Sequence, residues 1–297
     1  MKYLFIMSTK AANGKNLPRV ELIEKSLQGE DYEIYYTNYQ SEPRDVAQKY
    51  AEKYGSEVAI FACGGDGTIN EVATGIVGTD AYMGIVPSGT GNDFSRTIYG
   101  DKSIEEIILG IKNLKPTKID LIKINEHYSI NIASFGFDSF VTEKVVKNEG
   151  NIKKYGELAY LIAAYQCLME QRKFPLEYEF KLANGSIAYG KGDYLLGSIA
   201  NAKYYGGGFY VAPHAIPTDG RLDITIVNEL SVDKIIKLMF KYRKGEHFGI
   251  DEVKTFQAKS GKIISHGSEI PANYDGEIFK FKELEFEILE RKINFLA

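Results

Sequence analysis

The chain has 297 residues, of which 44% are hydrophobic, and a formal net charge of −4 at pH 7. A chain of this length can bury a sizeable core and build two domains of roughly 100–200 residues each. The negative charge argues against general attraction to nucleic acid, so we expect no nucleic-acid partner, although a local basic patch remains open. No histidine has a partner histidine or cysteine at zinc-site spacing, which argues against a zinc site.

The cysteines and apolar segments bear on the cellular compartment. Cys63 and Cys167 give no disulfide framework and fit a reducing environment. The apolar run at the start of the chain is too short for a signal peptide. The stretch from Leu158 to Met169 falls short of the ~20 residues that a membrane-spanning helix needs. We therefore expect a cytoplasmic protein without a transmembrane segment.

The first 117 residues alternate between predicted strands and helices. This order predicts a parallel α/β domain, doubly wound or three-layered, that ends at the Lys115-Pro116 break. We place the domain boundaries at 1–117 and 118–297. The predicted strands are Tyr3–Met7, Tyr32–Tyr36, Glu57–Cys63 and Tyr82–Val86, and helices are predicted around Val20–Leu27, at Glu42–Tyr54, at Ile69–Val77 and from Asn92 or Asp93 onward.

A glycine-rich turn, Gly64-Gly65-Asp66-Gly67-Thr68, follows the third predicted strand. A strand-to-helix turn presents bare backbone N–H groups at the positive end of the helix dipole, which suits a phosphate. Glycines let phosphate oxygens approach closely, and we expect Thr68 to cap the helix. Asp66 repels a phosphate, so its position indicates a cation such as Mg²⁺, or a catalytic proton, between the two.

A second glycine-rich loop, Pro87–Asp93, follows the next predicted strand. Consecutive strand–loop–helix units place both loops at the same carboxyl edge of one sheet, where α/β folds bind ligands. One such turn is as compatible with a simple tight turn as with a binding site. Two loops that both carry Gly-Thr and an acid favour the binding site.

After Thr117 the pattern changes to alternating polar and apolar residues separated by turns. This pattern predicts an antiparallel sandwich or open barrel packed beside the α/β domain, with a cleft between the two. The predicted strands are Lys118–Ile124, Tyr128–Ser134, Leu176–Leu182, Ile187–Ile199, Leu222–Val227, Glu252–Ala258, Lys262–Ser265 and Lys280–Leu289.

Two helices interrupt this strand pattern. The first, Leu158–Met169, has an apolar face and basic flanks at Lys153, Lys154, Arg172 and Lys173. We favour a helix that covers one face of the sheet over a membrane-facing helix. The second, Val232–Phe240, precedes Lys241, Arg243 and Lys244. Solvated charge is the commoner explanation of such a cluster, and contact with an anionic surface is the alternative.

The motifs together resemble the diacylglycerol kinase catalytic-domain family, and more closely its soluble bacterial lipid kinases, which are related to sphingosine and ceramide kinases. GGDGT alone also occurs in NAD kinases, whereas the Pro87–Phe94 motif separates the two families. Later segments agree in order: Asn131–Asp138, Gly206–Pro213, Asp219–Asp223 and Asp275–Glu277. The resemblance implies an α/β domain like that of NAD kinases and phosphofructokinases, an all-β second domain, and a return of the chain from Ile288 to the first domain.

The resemblance also implies an activity: transfer of the γ-phosphate of ATP to a lipid hydroxyl, with diacylglycerol as the first choice. The partner would be lipid at a membrane surface, and relatives often form homodimers. Glu277 is implied as the general base, with Asp66 and Asp219 as the other catalytic acids. From the residues alone, Asn273–Glu277 is equally a hairpin turn, and Asp219-Gly220 is equally a turn signal.

The resemblance assigns residues to metal and nucleotide. Asp219 and the backbone carbonyls of Ile216 and Arg221 are implied ligands of a structural Mg²⁺, and a nucleotide-borne Mg²⁺ is implied near Asp66. The implied ATP-binding residues are Ser8, Thr9, Lys10, Thr37, Gly64, Gly65, Asp66, Gly67, Thr68, Asn70, Ser88, Gly89, Thr90, Asn92 and Asp93.

The sequence departs from the family pattern in two places. Ser8-Thr9 stands where members usually have Asn-Pro, and Thr218 replaces the first of two acids. These departures leave the nucleotide contacts of the first loop and the occupancy of the structural metal site open. The alternatives are a kinase of another lipid (a sphingoid base, phosphatidylglycerol or monoacylglycerol), an NAD kinase, and a catalytically silent nucleotide-binding regulator.

Overall fold

The structure is a computed structural model that describes residues 1–8, 17–39, 41–89, 91–147, 151, 159–170 and 173–297. Three residues of the predicted nucleotide site, Thr9, Lys10 and Thr90, lie outside the described residues. So do Lys153, Lys154 and Arg172 of the predicted basic flanks.

The N-terminal part is a parallel sheet covered by helices on both faces, as the sequence predicts. Four strands lie side by side in the order β2–β1–β3–β4, and β3 is buried along its whole length. A strand buried on both faces requires a continuous apolar run, and residues 58–64 supply one. The elements are β1 (Lys2–Ser8), α1 (Leu17–Ser26), β2 (Tyr32–Thr37), α2 (Glu42–Tyr54), β3 (Val58–Gly64), α3 (Asp66–Ile76), β4 (Tyr82–Pro87), α4 (Asp93–Tyr99) and α5 (Ile104–Leu109).

The two glycine-rich loops touch each other at the carboxyl edge of this sheet. The Ser88 backbone N–H donates to the Gly64 carbonyl over 2.9 Å. A Cβ atom placed on Gly89 would lie 2.4 Å from the Cα atom of Gly65, so only glycine fits at residue 89. The contact confirms that both predicted loops share one edge.

The expectation that Thr68 caps the following helix is wrong. Helix α3 already begins at Asp66, and Gly65 stands at the N-cap position without a side chain to cap it. Thr68 lies within the first turn, where its side chain covers the Cα atom of Gly64. The extended backbone of Gly65 lets the helix start three residues earlier than the pattern indicated.

The second part of the chain is dominated by antiparallel strands, which confirms the predicted fold class. Its core joins residues of the sheet to two helices that pack on each other, α6 and α7. The elements are β5 (Pro116–Ile124), β6 (His127–Ser129), β7 (Ile132–Gly136), α6 (Phe137–Val146), α7 (Ala159–Glu170), β8 (Phe174–Leu182), β9 (Ile187–Ala200), β10 (Tyr204–Tyr205), β11 (Phe209–Tyr210), β12 (Leu222–Asn228), α8 (Val232–Lys244), β13 (Val253–Ser265), β14 (Ile270–Tyr274), β15 (Glu277–Phe281) and β16 (Glu283–Leu296).

Four predicted strands are divided or joined differently in the structure. The predicted strand Tyr128–Ser134 is two strands, β6 and β7, because the Ile130 N–H donates to a carboxylate (2.9 Å) rather than to a neighbouring strand. The two predicted strands within 252–265 are the single strand β13. Its Gly261 is no turn: a Cβ there would lie 2.5 Å from the Phe180 ring. The predicted strand Lys280–Leu289 is divided between β15 and β16.

The last strand connects the two halves of the molecule. β16 pairs with β13 and β5 of the second part, and then runs parallel to β4 through Asn294 and Phe295. Phe295 is fully buried and meets the Phe94 ring edge-on, with the ring centroids 6.4 Å apart. One sheet therefore runs through both parts, while the boundary at residue 117 remains a prediction.

Helix α7 has one buried face and one exposed face. Ala163 and Cys167 are fully buried in the core of the second part, whereas Tyr165 and Met169 point away from it. This packing agrees with a helix that covers the sheet domain. Within the described residues, no helix is both long and apolar enough to cross a bilayer.

The contact between the two glycine-rich loops gives a test of the fold. We expect Gly89→Ala to lower the free energy of unfolding by about 1–3 kcal/mol, because the new methyl group overlaps the Gly65 backbone. The matched control is Gly192→Ala, where a new Cβ would have no neighbour closer than 3.8 Å. Urea unfolding of both variants provides the measurement, and equal stability of the two would contradict the contact.

Candidate active site

Asp66 links the two glycine-rich loops. It is the first residue of α3, and its carboxylate accepts hydrogen bonds from the backbone N–H groups of Asp93 (3.2 Å) and Phe94 (3.0 Å). These groups begin α4, whose own N-cap residue, Asn92, makes no side-chain cap. A carboxylate at a helix N-terminus satisfies unpaired N–H groups and complements the helix dipole. Asp66 thus holds the second loop in place as well as facing the site.

A second carboxylate, that of Asp93, lies beside the first. Asp93 is buried, and a Cβ on Gly91 would lie 3.0 Å from an Asp66 oxygen and 3.2 Å from an Asp93 oxygen, so both carboxylates face this glycine. Burial raises the pKa of Asp93, and the Asp66 charge adds to that rise, against a hydrogen bond from Gly207. Two carboxylates that repel each other in this way suit a bound cation.

Asn92 shapes the second loop from within. Its backbone is left-handed, with φ of 52°, a conformation that asparagine tolerates better than most residues. The side-chain amide accepts from the Gly89 N–H (2.8 Å) and donates to the Gly89 carbonyl (2.9 Å). The Ser88 hydroxyl also donates within the loop, to the Val86 carbonyl (3.2 Å). The side chains of Asn92 and Ser88 therefore both form hydrogen bonds that hold the loop in its conformation.

The β10–β11 hairpin, which is not among the predicted strands, closes over the second loop. Its turn holds three glycines, residues 206–208, with φ of 61°, 81° and 105°, a run that other residues rarely adopt. The Gly207 N–H donates to Asp93 (2.8 Å). Arg96 forms an ion pair with Asp93 (3.4 Å) and lies over the Tyr204 ring. The three consecutive glycines indicate an unusual turn in the sequence, but only the fold shows that this turn contacts Asp93.

The Asp275-Gly276 turn lies against the first glycine-rich loop. A Cβ on Gly67 would be 3.8 Å from the Asp275 carbonyl oxygen. The Asp275 carboxylate accepts hydrogen bonds from the Ser129 hydroxyl (2.7 Å) and the Ile130 N–H (2.9 Å). Burial raises the pKa of Asp275 to about 7, with a further contribution from the Asp66 charge and opposition from these hydrogen bonds. The turn is thus a hairpin turn and also a wall of the crevice above α3.

Glu277 follows this turn as the first residue of β15, and its side chain is exposed. It contributes to an open groove of about 540 Å³ between β15 and α6, whose other walls include Val146 and Phe279. On α3, the pKa of Glu71 is raised by burial and, to a lesser degree, by the charge of Glu277. Glu277 therefore lies within electrostatic reach of α3, the helix that begins in the first glycine-rich loop.

Asp219 belongs to a different set of contacts. It is exposed and accepts a hydrogen bond from the Arg221 N–H (3.0 Å). The Ile216 carbonyl, an implied metal ligand, accepts from the N–H groups of Thr218 (2.7 Å) and Asp219 (3.2 Å). Burial raises the pKa of Asp223 to about 6, and the Asp219 charge contributes. Among the described residues, no three acidic, histidine or cysteine side chains form a group able to hold a metal ion.

A buried acid next to Asp219 was missed from the sequence. Asp120 is fully buried, and its carboxylate accepts from the N–H groups of Gly220 (2.8 Å) and Arg291 (2.6 Å). It therefore holds the Asp219 turn against the last strand. The sequence does indicate an unusual position here, because Asp120 is an acid inside the largely apolar run Ile119–Ile124.

Three further predicted nucleotide-binding residues lie near the sheet edge. Ser8 and Thr37 are register partners at the ends of β1 and β2, and the Thr37 hydroxyl donates to the Met7 carbonyl (3.2 Å). Asn70 is buried: its amide donates to the Tyr128 carbonyl (3.1 Å) and accepts from the Ile130 N–H (3.2 Å). Asn70 thus ties α3 to the second part of the chain, and its role toward nucleotide remains a prediction.

Comparison with known proteins agrees with this geometry. Residues 2–124 match the family model of the diacylglycerol kinase catalytic domain, and residues 131–297 match that of the YegS C-terminal NAD kinase beta sandwich-like domain. A diacylglycerol kinase of Mycobacterium tuberculosis is 31% identical over 226 residues, which are 73% of this chain and 70% of that protein. A diacylglycerol kinase of Staphylococcus aureus is 28% identical over 290 residues, which are 96% and 89% of the two chains.

A solved structure shows the same fold. The crystal structure of a diacylglycerol kinase from Bacillus anthracis superposes with a TM-score of 0.72 at 22% identity, covering 100% of this chain and 96% of that one. The two matched domains, in this order and over nearly the whole length, place the chain in the diacylglycerol kinase catalytic-domain family of lipid kinases.

Proposed function

We propose that this protein transfers the γ-phosphate of ATP to the hydroxyl of diacylglycerol, which yields phosphatidic acid. The observation that carries the proposal is the crevice in which the Asp275-Gly276 turn of the second part lies on the first glycine-rich loop, with Glu277 beside α3. Phosphoryl transfer needs an in-line arrangement, neutralised phosphate charge and a base for the attacking hydroxyl. The crevice offers residues for each requirement.

The two glycine-rich loops fit the triphosphate of ATP. The first N–H groups of a helix have no partner inside it, so α3 directs those of residues 66–68 toward the sheet edge. The close contact of Gly65 with Gly89 leaves the loop backbone bare there. The paired carboxylates of Asp66 and Asp93 suit a Mg²⁺ ion, which would neutralise phosphate charge when bound. Asp219, with the carbonyls of Ile216 and Arg221, is proposed to hold a second, structural Mg²⁺.

Glu277 is proposed to act as the general base. Its exposed carboxylate accepts the proton of the lipid hydroxyl, the freed oxygen bonds to the γ-phosphorus, and the bond to the β-phosphate oxygen breaks to release ADP. The groove between β15 and α6 gives an acceptor a way to reach this carboxylate, with apolar contacts at Val146 and Phe279.

Diacylglycerol is the preferred acceptor in this proposal because the named relatives over most of the chain are diacylglycerol kinases. Transfer from labelled ATP to a panel of acceptors in mixed micelles tests it: diacylglycerol, monoacylglycerol, sphingosine, ceramide, phosphatidylglycerol, a polyprenol and soluble NAD. We expect the highest turnover with diacylglycerol and a requirement for added Mg²⁺. Higher turnover with another acceptor would reassign the substrate, and absence of transfer to all of them would favour a silent regulator.

Replacement of the proposed base is the sharpest test of mechanism. We expect Glu277→Gln to lower turnover by about 10²–10⁴-fold, because the amide keeps the shape of the side chain but cannot accept the proton. The affinity for ATP should stay within about twofold in a binding assay. Glu269→Gln, an exposed acid at the other end of the same hairpin, is the control and should retain turnover. Near-normal turnover of Glu277→Gln would remove this residue from the role.

Two substitutions at Asp66 separate its structural role, the capping of α4, from its proposed role in the reaction. Asp66→Ala removes both hydrogen bonds to α4, so it should abolish turnover and also lower the free energy of unfolding by about 0.5–2 kcal/mol. Asp66→Asn keeps one acceptor oxygen for these N–H groups but loses the charge.

For Asp66→Asn we expect a smaller loss of stability but a loss of turnover close to that of alanine. Urea unfolding and transfer assays on the same preparations measure the two effects. Full activity of the asparagine variant would contradict a role for the charge and leave only the capping role.

A further inference from the structure

Helix α8 carries an exposed surface that the phosphotransfer site does not use. Its inward face is anchored by Ile235, Leu238 and Tyr242, which are all buried. On the opposite face Phe240 is 62% exposed and Ile236 is 45% exposed, one helical turn apart. Large apolar side chains that are exposed next to each other in this way are a feature of interaction surfaces.

Lysines flank these two apolar side chains. Lys237, Lys241 and Lys244 recur at helical spacing on the outward side and are exposed. The described ion pairs of this helix involve Lys234, which pairs with Glu252, and none of the three outward lysines lies within 4.0 Å of a described carboxylate. The 13-residue helix has five basic residues and one acidic residue, in a chain whose net charge is −4. The basic character is therefore local.

The α8 surface, defined by Ile236, Lys237, Phe240, Lys241 and Lys244, is continuous with the hairpin that closes the second loop. Arg243 lies over the ring of Phe209 in β11, with 5.7 Å from the guanidinium carbon to the ring centroid. The same hairpin donates the Gly207 N–H to Asp93. The surface is thus anchored to the phosphate-binding edge through a short, packed connection.

We propose that the α8 surface docks the protein on an anionic lipid bilayer. An amphipathic helix lying in the membrane interface presents apolar side chains to the acyl chains and basic ones to anionic head groups. Phe240 and Ile236 supply the first, and the three lysines supply the second. The lysine column gives the charge complementarity that selects a bilayer over a neutral partner.

Sedimentation with vesicles tests this proposal without any phosphoryl transfer. We expect the wild-type chain to bind vesicles of equal parts phosphatidylglycerol and phosphatidylcholine, and not vesicles of phosphatidylcholine alone. The triple variant Lys237→Glu, Lys241→Glu, Lys244→Glu should bind at least about tenfold more weakly, given the attraction of each lysine to an anionic surface. The control triple Lys25→Glu, Lys49→Glu, Lys118→Glu changes the same charge at exposed positions elsewhere and should bind like the wild type.

The two apolar side chains of the α8 surface are tested with a second variant and a matched control. Phe240→Ser with Ile236→Ser should weaken vesicle binding by at least about tenfold, because burial of apolar area drives insertion. Leu109→Ser with Ile187→Ser, two positions that are 52% and 62% exposed, should not change it. Unchanged binding of either α8 variant, or an equal loss in its control, would overturn the proposal. A different outcome would also overturn it: the wild type is a dimer in light scattering, the α8 variants are monomers, and no vesicle binding is seen. The α8 surface would then bind a second copy of this chain.

The outcome is independent of the proposed kinase reaction. Vesicle binding is measured without ATP, so a failure of the transfer assay leaves it unaffected. If both proposals hold, the lysine variant should transfer phosphate normally to short-chain diacylglycerol in solution and poorly to diacylglycerol presented in anionic vesicles.

Discussion

The carboxylate of Asp66 is the interaction on which the site depends most. It sits at the start of one helix and caps the start of the next, with hydrogen bonds to the N–H groups of Asp93 and Phe94. One side chain therefore fixes the spacing of two helix N-termini, each of which favours negative charge. The close approach of Gly65 and Gly89 leaves no room for a side chain between the loops, and the hydrogen bond from the Ser88 N–H to the Gly64 carbonyl holds them together. Together these two constraints produce a sheet edge that suits the phosphate binding proposed above.

The second constraint is the strand that both parts of the molecule share. β16 pairs with β5 and then with β4, so main-chain hydrogen bonds set the position of the parallel strands relative to the antiparallel strands of the same sheet. One side chain reinforces this position: Asn70 of α3 donates to the Tyr128 carbonyl and accepts from the Ile130 N–H. Within the second part, the Asp275 carboxylate accepts from the same Ile130 N–H. Glu277 follows Asp275 by two residues, so the approach of the Asp275 carbonyl to Gly67 also keeps Glu277 near the first loop. A rigid frame of this kind suits a reaction that depends on positioning.

Much of this frame was predictable, and the failures have identifiable causes. Short apolar runs followed by glycine turns predicted the parallel sheet correctly, because a strand buried between two layers of helices must be apolar on both faces. The strand at Tyr128–Ser134 was predicted as one because sequence alternation cannot show that the Ile130 N–H donates to Asp275, more than 140 residues away along the chain. β13 was predicted as two strands, Glu252–Ala258 and Lys262–Ser265, because sequence alternation cannot show that Gly261 packs on the Phe180 ring of another strand.

The predicted site shows the same division between local and distant information. The loops could be located from their own residues, since glycines and acids between a strand and a helix have few other uses. The cover of Asp93 by the Gly206–Gly208 hairpin and the capping by Asp66 could not, because each joins residues far apart in sequence. Asp120 is recognisable in the sequence as an acid in an apolar strand. Its partners, the N–H groups of Gly220 and Arg291, come near it only when the chain is folded.

The distribution of charge connects the site to the surface. Burial raises the pKa values of Asp93 and Asp275, and the charge of Asp66 contributes to both rises. Such a site has little affinity for a triphosphate until cations balance it, which is the physical reason to expect Mg²⁺ there. A molecule with a net negative charge and an acidic crevice would also be repelled by an anionic bilayer in most orientations. In the proposed docking mode, the lysines of α8 would reverse that repulsion on the face that carries them. The distribution of charge would then also select the orientation in which the protein meets the bilayer.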